Sequence, residues 1–323
     1  MRYALDNRLV VGVASSALFD LAESDAYFRE HGETAYRHYQ DERIDATLEP
    51  GAAFPFVQRL LALNDLRADD PLVEIIVLSQ NDPSTGLRVM RSIEAHGLTM
   101  TRAVFTQGQA PYAYIGALEM SLFLSGNRED VDDAIAAGFP AGHVLPSAAA
   151  YDPADPGLRI AFDFDGVLAD DGSERIFKTG GIDAFRDHEV DRRDHALRPG
   201  LLQPLLKDLN RIQALERARK DSDPAYEERL RIALVTARAA PAHERAVRSL
   251  RDWGVEVNDA FFLGGVAKSQ VLEVMKPHIF FDDQATHLED ATDFIMGVHV
   301  PYGVANEIVE TAPSDAPAQE PAG

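Results

Sequence analysis

The chain is written twice, and that repetition limits the folds open to it more than any other feature of its 323 residues. VVGVASSALFD, from Val10, resembles IAFDFDGVLAD, from Ile160, with Ala14 opposite Asp163. The same offset of 149 sets Phe28 against Phe177, Gly32 against Gly181, Ala35 against Ala184, and LEPGAAFP (from Leu48) against LRPGLLQP (from Leu197). Beyond that point the offset becomes 157, because the second half carries eight extra residues within RIQALERARKDSDPAYEERLR. A polar insertion of this kind fits an exposed loop or a helix extension. VLSQNDPSTGLRVMRSIEAHGLTMTRAVF then runs against LVTARAAPAHERAVRSLRDWGVEVNDAFF, with Gly97 opposite Gly254, and the register holds to Asp133 opposite Asp290.

Each half reads as an apolar strand, a polar segment, an amphipathic helix, a second apolar strand (EIIVLS; RIALVT), a long helix, a short strand, another helix and a last apolar strand (SLFLS; HIFFDD). Strands alternating with helices imply parallel sheets covered on both faces. The expected fold is α/β: two tandem doubly wound lobes from an internal duplication, over residues 1–150 and 151–311. The closing TAPSDAPAQEPAG is small, Pro-rich and free of aromatics, so residues 312–323 are expected to form a disordered tail.

With 31 Lys and Arg against 53 Asp and Glu, the formal charge is −22, which disfavours a nucleic-acid polymer or an anionic membrane as partner. A small anion is still admissible where a divalent cation reverses the local potential. No cysteine is present, so disulfides, thiolate metal sites and a cysteine nucleophile are all excluded. The N-terminal apolar run soon meets Asp20, Glu23 and Asp25, and it has neither an export-type cleavage region nor the length of a bilayer span. The expected location is the cytoplasm, and the sequence leaves oligomeric state open.

In doubly wound sheets ligands collect at the carboxyl ends of strands. In the second half those ends carry Asp163 and Asp165, then Thr236, then Asp282 and Asp283, with Lys268 at a helix start. Strand alternation points Asp163 and Asp165 the same way, and Gly166 lets the chain turn behind them. Converging carboxylates call for a cation, and aspartate oxygens suit magnesium. Taken singly, each residue has a plainer reading: DxD as a loop or cap, Thr236 as an N-cap, Lys268 as surface charge, Asp282–Asp283 as a cap. Their counterparts in the first half are Ala14, Ser16, Ser79, Pro111, Ser125 and Gly126. The first half thus keeps the apolar pattern without the acids or the lysine, so the fold itself does not require them.

FDFDG, VTAR, AKSQ and FFDDQ in that order resemble the signature of the haloacid dehalogenase superfamily. LVVGVASSALFDL, LEPGAAFPFV, GLRVMRSIEAHGLT, FDFDGVLADDGSE, TARAAPAHERAVRSLRDWG, FFLGGVAKSQVLE, KPHIFFDDQATHLEDA and HVPYGVA further resemble the cytosolic type I 5'-nucleotidases, from about Leu9 to Val304. One departure from the animal members is Phe164 and Gly166 in FDFDG, where Gly and Ala are expected.

The resemblance implies magnesium-dependent hydrolysis of AMP-like nucleoside 5'-monophosphates to nucleoside and phosphate. Asp163 would be the nucleophile that forms an aspartyl-phosphate, and Asp165 the general acid/base. Thr236 and Lys268 would bind phosphate. Magnesium would be held by Asp163, the backbone carbonyl of Asp165 and Asp282, with Asp283 in support. Two alternatives stand beside this reading: a phosphatase acting on a sugar phosphate, and a nucleotide-binding regulator without catalysis.

The resemblance also places a small cap over about 171–197. Phe177 and Phe185 there could stack on a base, although cap core is the simpler assignment because Phe28 and Tyr36 match them. Arg238, opposite Asn81, either reaches the phosphate or decorates a helix start. Trp253 reads as a packing residue at a helix end, and His243, His278, His287 and His299 as structural or surface residues.

Overall fold

The computed structural model describes residues 4–149, 152 and 154–307, so the segment 312–323 lies outside the described residues. One ten-stranded sheet runs through them. Its strands are β1 (Leu9–Val13), β2 (Val73–Ser79), β3 (Arg102–Phe105), β4 (Leu122–Ser125), β5 (Ala141–Val144), β6 (Leu158–Phe162), β7 (Leu230–Thr236), β8 (Asp259–Phe262), β9 (Ile279–Asp282) and β10 (Met296–His299). The helices are α1 (Ser15–Leu18), α2 (Ala22–Glu42), α3 (Phe54–Ala62), α4 (Pro83–Ala95), α5 (Arg128–Ala136), α6 (Gly172–Asp191), α7 (Gln203–Ser222), α8 (His243–Asp252), α9 (Lys268–Met275) and α10 (Ala285–Glu289).

The strand order is β3-β2-β1-β4-β5-β10-β9-β6-β7-β8. Outward from the centre it reads 5-4-1-2-3 on one side and 10-9-6-7-8 on the other. Every neighbouring pair is parallel except β5 with β10, where Val144 faces Val298 and His143 faces His299 antiparallel. That single reversal puts the carboxyl ends of the two strand sets at opposite edges of the sheet. At the seam a β-carbon on Gly142 would stand 2.3 Å from Val298 Cγ1, so the close approach needs glycine there.

On one face a single apolar core crosses the seam, joining Leu9, Val11, Val13 and Leu124 to Ile160, Phe162, Phe281 and Val298. On the other face the core is split. Val10, Ile76, Leu78 and Phe123 form one cluster, and Ala161, Val235, Leu272 and Phe280 the other. Strand alternation explains the division, since successive residues of β1 and of β6 feed opposite faces.

The eight extra residues of the second half lengthen a helix: α7 has 20 residues, whereas α3 has 9 and passes into a short 3₁₀ turn, Leu63–Arg67. Both α2 and α6 break at a glycine. Gly32 (φ 78°) and Gly181 (φ 76°) adopt a conformation that L side chains rarely take. The break folds each segment back on itself, so Tyr27 stacks on Tyr39 (centroids 4.3 Å apart), and Ser173 Oγ donates to Glu189 Oε1 at 2.7 Å. No helix among the described residues is long and apolar enough to cross a membrane.

Candidate active site

β6 ends at Phe162, and Asp163 follows where sheet gives way to loop. Phe164 turns inward, fully buried and stacked on Trp253 (centroids 5.9 Å), which leaves Asp163 and Asp165 free to face the strand ends. Gly166 has φ +74°, and a β-carbon on it would lie 2.5 Å from Asp283 Oδ2. Glycine is required at that position on both counts, which gives the Phe164–Gly166 departure from the expected pattern a local packing reason.

Thr236 closes β7, Lys268 opens α9 and Asp282 closes β9. Lys268 Nζ lies 2.8 Å from Asp163 Oδ2 and 2.7 Å from Asp282 Oδ2, with all three side chains buried. Burial opposes the ammonium charge, but attraction to the two aspartates more than offsets it and raises the lysine above its ordinary value. Asp282 also accepts the Gln284 N–H at 2.9 Å and faces His287 Nδ1 at 3.1 Å. Although burial works against its ionised form, Lys268 and His287 hold it below the usual carboxylate range. Asp163 is pushed up to about 7, chiefly by burial, with Lys268 opposing and Asp282 adding to the rise.

Asp283 is the outlier. It is 1 % exposed, and neither of its carboxylate oxygens has a hydrogen-bond partner among the described residues. Burial, then the negative charges of Asp163, Asp282 and Glu174, push it up to about 10. Glu174 Oε2, another buried oxygen, has no partner either. A buried carboxylate without donors is costly unless a cation completes it.

The donors here are hard oxygens, so the set fits a magnesium-sized divalent ion. Oxygens of Asp163 and Asp282 and a nitrogen of His287 also lie within 4.8 Å of one another. Lys268 already places a positive charge between those two aspartates, however, so the oxygens left without a hydrogen-bond partner are both of those of Asp283 and Oε2 of Glu174.

Arg238 is 3 % exposed and neither decorates a helix start nor points into solvent. Its Nη2 and Nε donate to Asp165 Oδ1 and Oδ2 at 2.6 and 2.7 Å, a fork-to-fork pair. Nη1 donates to Glu189 Oε2, whose other oxygen accepts Arg245 Nη1 at 2.7 Å. The guanidinium also lies over the rings of Phe164 (5.1 Å) and Phe185 (5.4 Å). Thr236 Oγ1 accepts the Arg238 N–H at 3.2 Å.

Phe177 and Phe185 meet edge to face at 6.3 Å. Phe177 is nonetheless 46 % exposed, so its ring is not enclosed in a core. Trp253 does pack at the end of α8 and donates from Nε1 to Leu197 O at 3.1 Å. His287 and His299 are drawn into the site's frame, His299 Nε2 lying 2.9 Å from Asp283 O. Sequence reading passed over Glu174, Ser173, Glu189, Arg245 and the role of His287. One signal was present for Glu189: its counterpart at offset 149 is Gln40, so a charge appears only in the half that carries the acids.

A cavity of about 1270 Å³ lies elsewhere. It is lined by Ser16, Gly126, Arg59, Arg159 and His278 and includes none of the six strand-end candidates. In the first half a β-carbon on Gly126, opposite Asp283, would stand 2.6 Å from Ser16 O, so that half has no room for a carboxylate at this position.

Comparison with known proteins agrees with the geometry. A family model described as 5'-nucleotidase matches residues 1–307. Human cytosolic 5'-nucleotidase 1B is 34% identical over 291 residues, which cover 88% of this chain and 47% of that protein, so the chain spans about half the length of this curated relative. No solved structure matches the chain significantly. With its strand-end carboxylates gathered around Lys268 and a sequence match across nearly its whole length, the chain belongs to the 5'-nucleotidase family.

Proposed function

We propose that this protein hydrolyses nucleoside 5'-monophosphates of the AMP type to nucleoside and phosphate, with magnesium as cofactor. The observation that carries the reading is Lys268 joining Asp163 to Asp282 beside an Asp283 whose buried oxygens lack partners.

Asp163 attacks phosphorus in line and becomes the aspartyl-phosphate, which divides one difficult displacement into two easier ones. Asp165, carrying a proton on the oxygen that it turns from Arg238 towards the substrate, gives that proton to the departing 5'-oxygen and then, as the carboxylate, takes one from the hydrolytic water. Lys268 and Thr236 hold the phosphoryl oxygens, the lysine also keeping Asp163 oriented through their 2.8 Å contact. Magnesium, when bound, neutralises charge on those oxygens. Asp163, the carbonyl of Asp165 and Asp283 would hold it, with Glu174 adjacent. Asp282 serves as the anchor for Lys268, reversing the ligand and support roles that the sequence suggested for Asp282 and Asp283.

We assign residues 1–150 to a lobe without catalysis, residues 151–311 to the catalytic lobe, and about 171–197 to a small cap. The 5-4-1-2-3 and 10-9-6-7-8 strand orders and the paired glycine breaks at Gly32 and Gly181 support an internal duplication. The half-exposed Phe177 is available to a base as a stacking face, with Phe185 beside Arg238.

The test is a phosphate-release screen across nucleoside monophosphates and sugar phosphates, with magnesium and with chelator. Metal-dependent turnover highest on nucleotides supports the reading. Turnover confined to sugar phosphates, or none on any phosphomonoester, removes it.

A further inference from the structure

We propose that Glu189 is a positioning residue for this reaction, acting through Arg238 on Asp165; the inference rests on the nucleotidase reading above. Asp165 has to meet the leaving oxygen in one defined direction, yet it stands on a loop just past β6 and is the least buried of the acids at the strand ends. Both of its oxygens are taken by Arg238, at 2.6 and 2.7 Å. The direction of Asp165 is therefore set by where Arg238 stands.

Arg238 is in turn fixed by Glu189, whose side chain is fully buried and which joins three parts of the fold. One oxygen receives Arg238. The other receives Arg245 of α8 and Ser173 of α6, each at 2.7 Å. The guanidinium of Arg238 lies over both Phe164 and Phe185 and is buried, which restricts its movement, so a shift at Glu189 passes to Asp165. Among the described residues Glu189 makes no hydrogen bond of its own to Thr236, Lys268, Asp163, Asp282 or Asp283; it meets the site through Arg238, whose backbone N–H also donates to Thr236 Oγ1.

The first half supplies an internal control. At the corresponding positions Arg88 donates from Nη1 to Gln40 Oε1 at 3.1 Å and from Nε to Ala46 O at 2.9 Å, just as Arg245 donates to Glu189 and to His195 O. Ser92 and Ser249 make matching bonds, each donating to the carbonyl four residues before it and receiving a backbone N–H, that of Leu48 or Leu197. The scaffold is thus built equally well on a glutamine. What the first half lacks is Arg238, replaced by Asn81, and Asp165, replaced by Ser16. The negative charge at position 189 accompanies the arginine and the acid, not the fold. A buried carboxylate facing two guanidinium groups is a means of fixing both, and only one of those two arginines touches the reacting apparatus.

Glu189→Gln probes this role, because Gln40 shows that a glutamine is accommodated there opposite the one arginine, Arg88, that corresponds to Arg245. The experiment follows the first turnover with magnesium, on AMP and on p-nitrophenyl phosphate, for wild type and for Glu189→Gln. A nucleoside alkoxide needs its proton as it leaves, whereas p-nitrophenolate leaves without one. Misplacing Asp165 therefore slows nucleoside release by about 10- to 100-fold and leaves the first-turnover release of p-nitrophenol within about twofold, with the apparent affinity for AMP unchanged. Arg238→Lys, which keeps the charge but not the fork, should give the same selective loss, and the double variant no more than either. An equal loss on both substrates, or no loss on either, overturns the inference. A wild type silent on both would instead remove the nucleotidase reading itself, a result distinguishable from unselective loss in the variant.

Discussion

Arg238 grips Asp165 by both carboxylate oxygens, at 2.6 and 2.7 Å, and so holds the acid two residues beyond Asp163 in a single orientation. A proton donor at the leaving oxygen contributes about 100- to 10,000-fold to such a displacement. Asp165→Asn should lower turnover on AMP within that range while the protein still folds, because Arg238 keeps Glu189 as a partner. Steady-state kinetics with a circular-dichroism melt checks this, and turnover within a factor of about three of wild type would contradict the acid/base role.

Asp283 carries the next prediction. Its oxygens lack partners and burial pushes it up to about 10, so without metal it is protonated at neutral pH, and Asp283→Asn should cost little stability in chelator. Magnesium should stabilise the wild type, by about 2.7 kcal/mol at about a hundredfold excess over Kd, and should not stabilise the variant. Thermal shift against magnesium concentration reads this directly. An undiminished shift in Asp283→Asn would show that the ion is held elsewhere.

Gly166 tests how tightly the site is built. Its φ of +74° and the 2.5 Å approach of a β-carbon to Asp283 Oδ2 both oppose a side chain. Gly166→Ala should cost about 1 to 3 kcal/mol in urea unfolding and reduce magnesium affinity by displacing Asp283.

His278 sets an acid limb to stability away from the site. Burial, followed by Arg159 and Arg59, lowers it to about 4, and Nδ1 accepts the Arg159 N–H at 2.9 Å, a bond that protonation there would break. A folded-state value below the unfolded one of about 6.5 means its stabilisation is complete above pH 6.5 and is lost as pH falls towards 4. His278→Gln should flatten the fall in unfolding free energy between those two values, and an unchanged slope would assign the acid limb to other groups.

The meeting of Asp163, Lys268 and Asp282 was legible because strand ends in this architecture are where ligands collect, and because Ala14 and Ser125 stand where Asp163 and Asp282 would be. The joining of the halves was not legible. β5 and β10, the strands that make the seam, are AGHV and MGVH, four residues each with a glycine and a histidine, and they lack the apolar run that marks a strand in sequence. The different surroundings of Asp282 and Asp283 were hidden as well, since two adjacent identical residues give no sign in sequence of which one Lys268 and His287 reach. Glu189 was missed because a glutamate late in a polar helix ordinarily faces solvent, and only the fold-back at Gly181 brings it to Arg238.

Asp163 is proposed as the phosphoryl acceptor in a magnesium-dependent nucleotidase. Phosphate release from AMP by wild type and by Asp163→Asn, measured side by side with magnesium, tests it most directly. The expected result is turnover in the wild type, abolished by chelator, and background release in a folded variant. Release by Asp163→Asn at the wild-type rate would mean that another group accepts the phosphoryl.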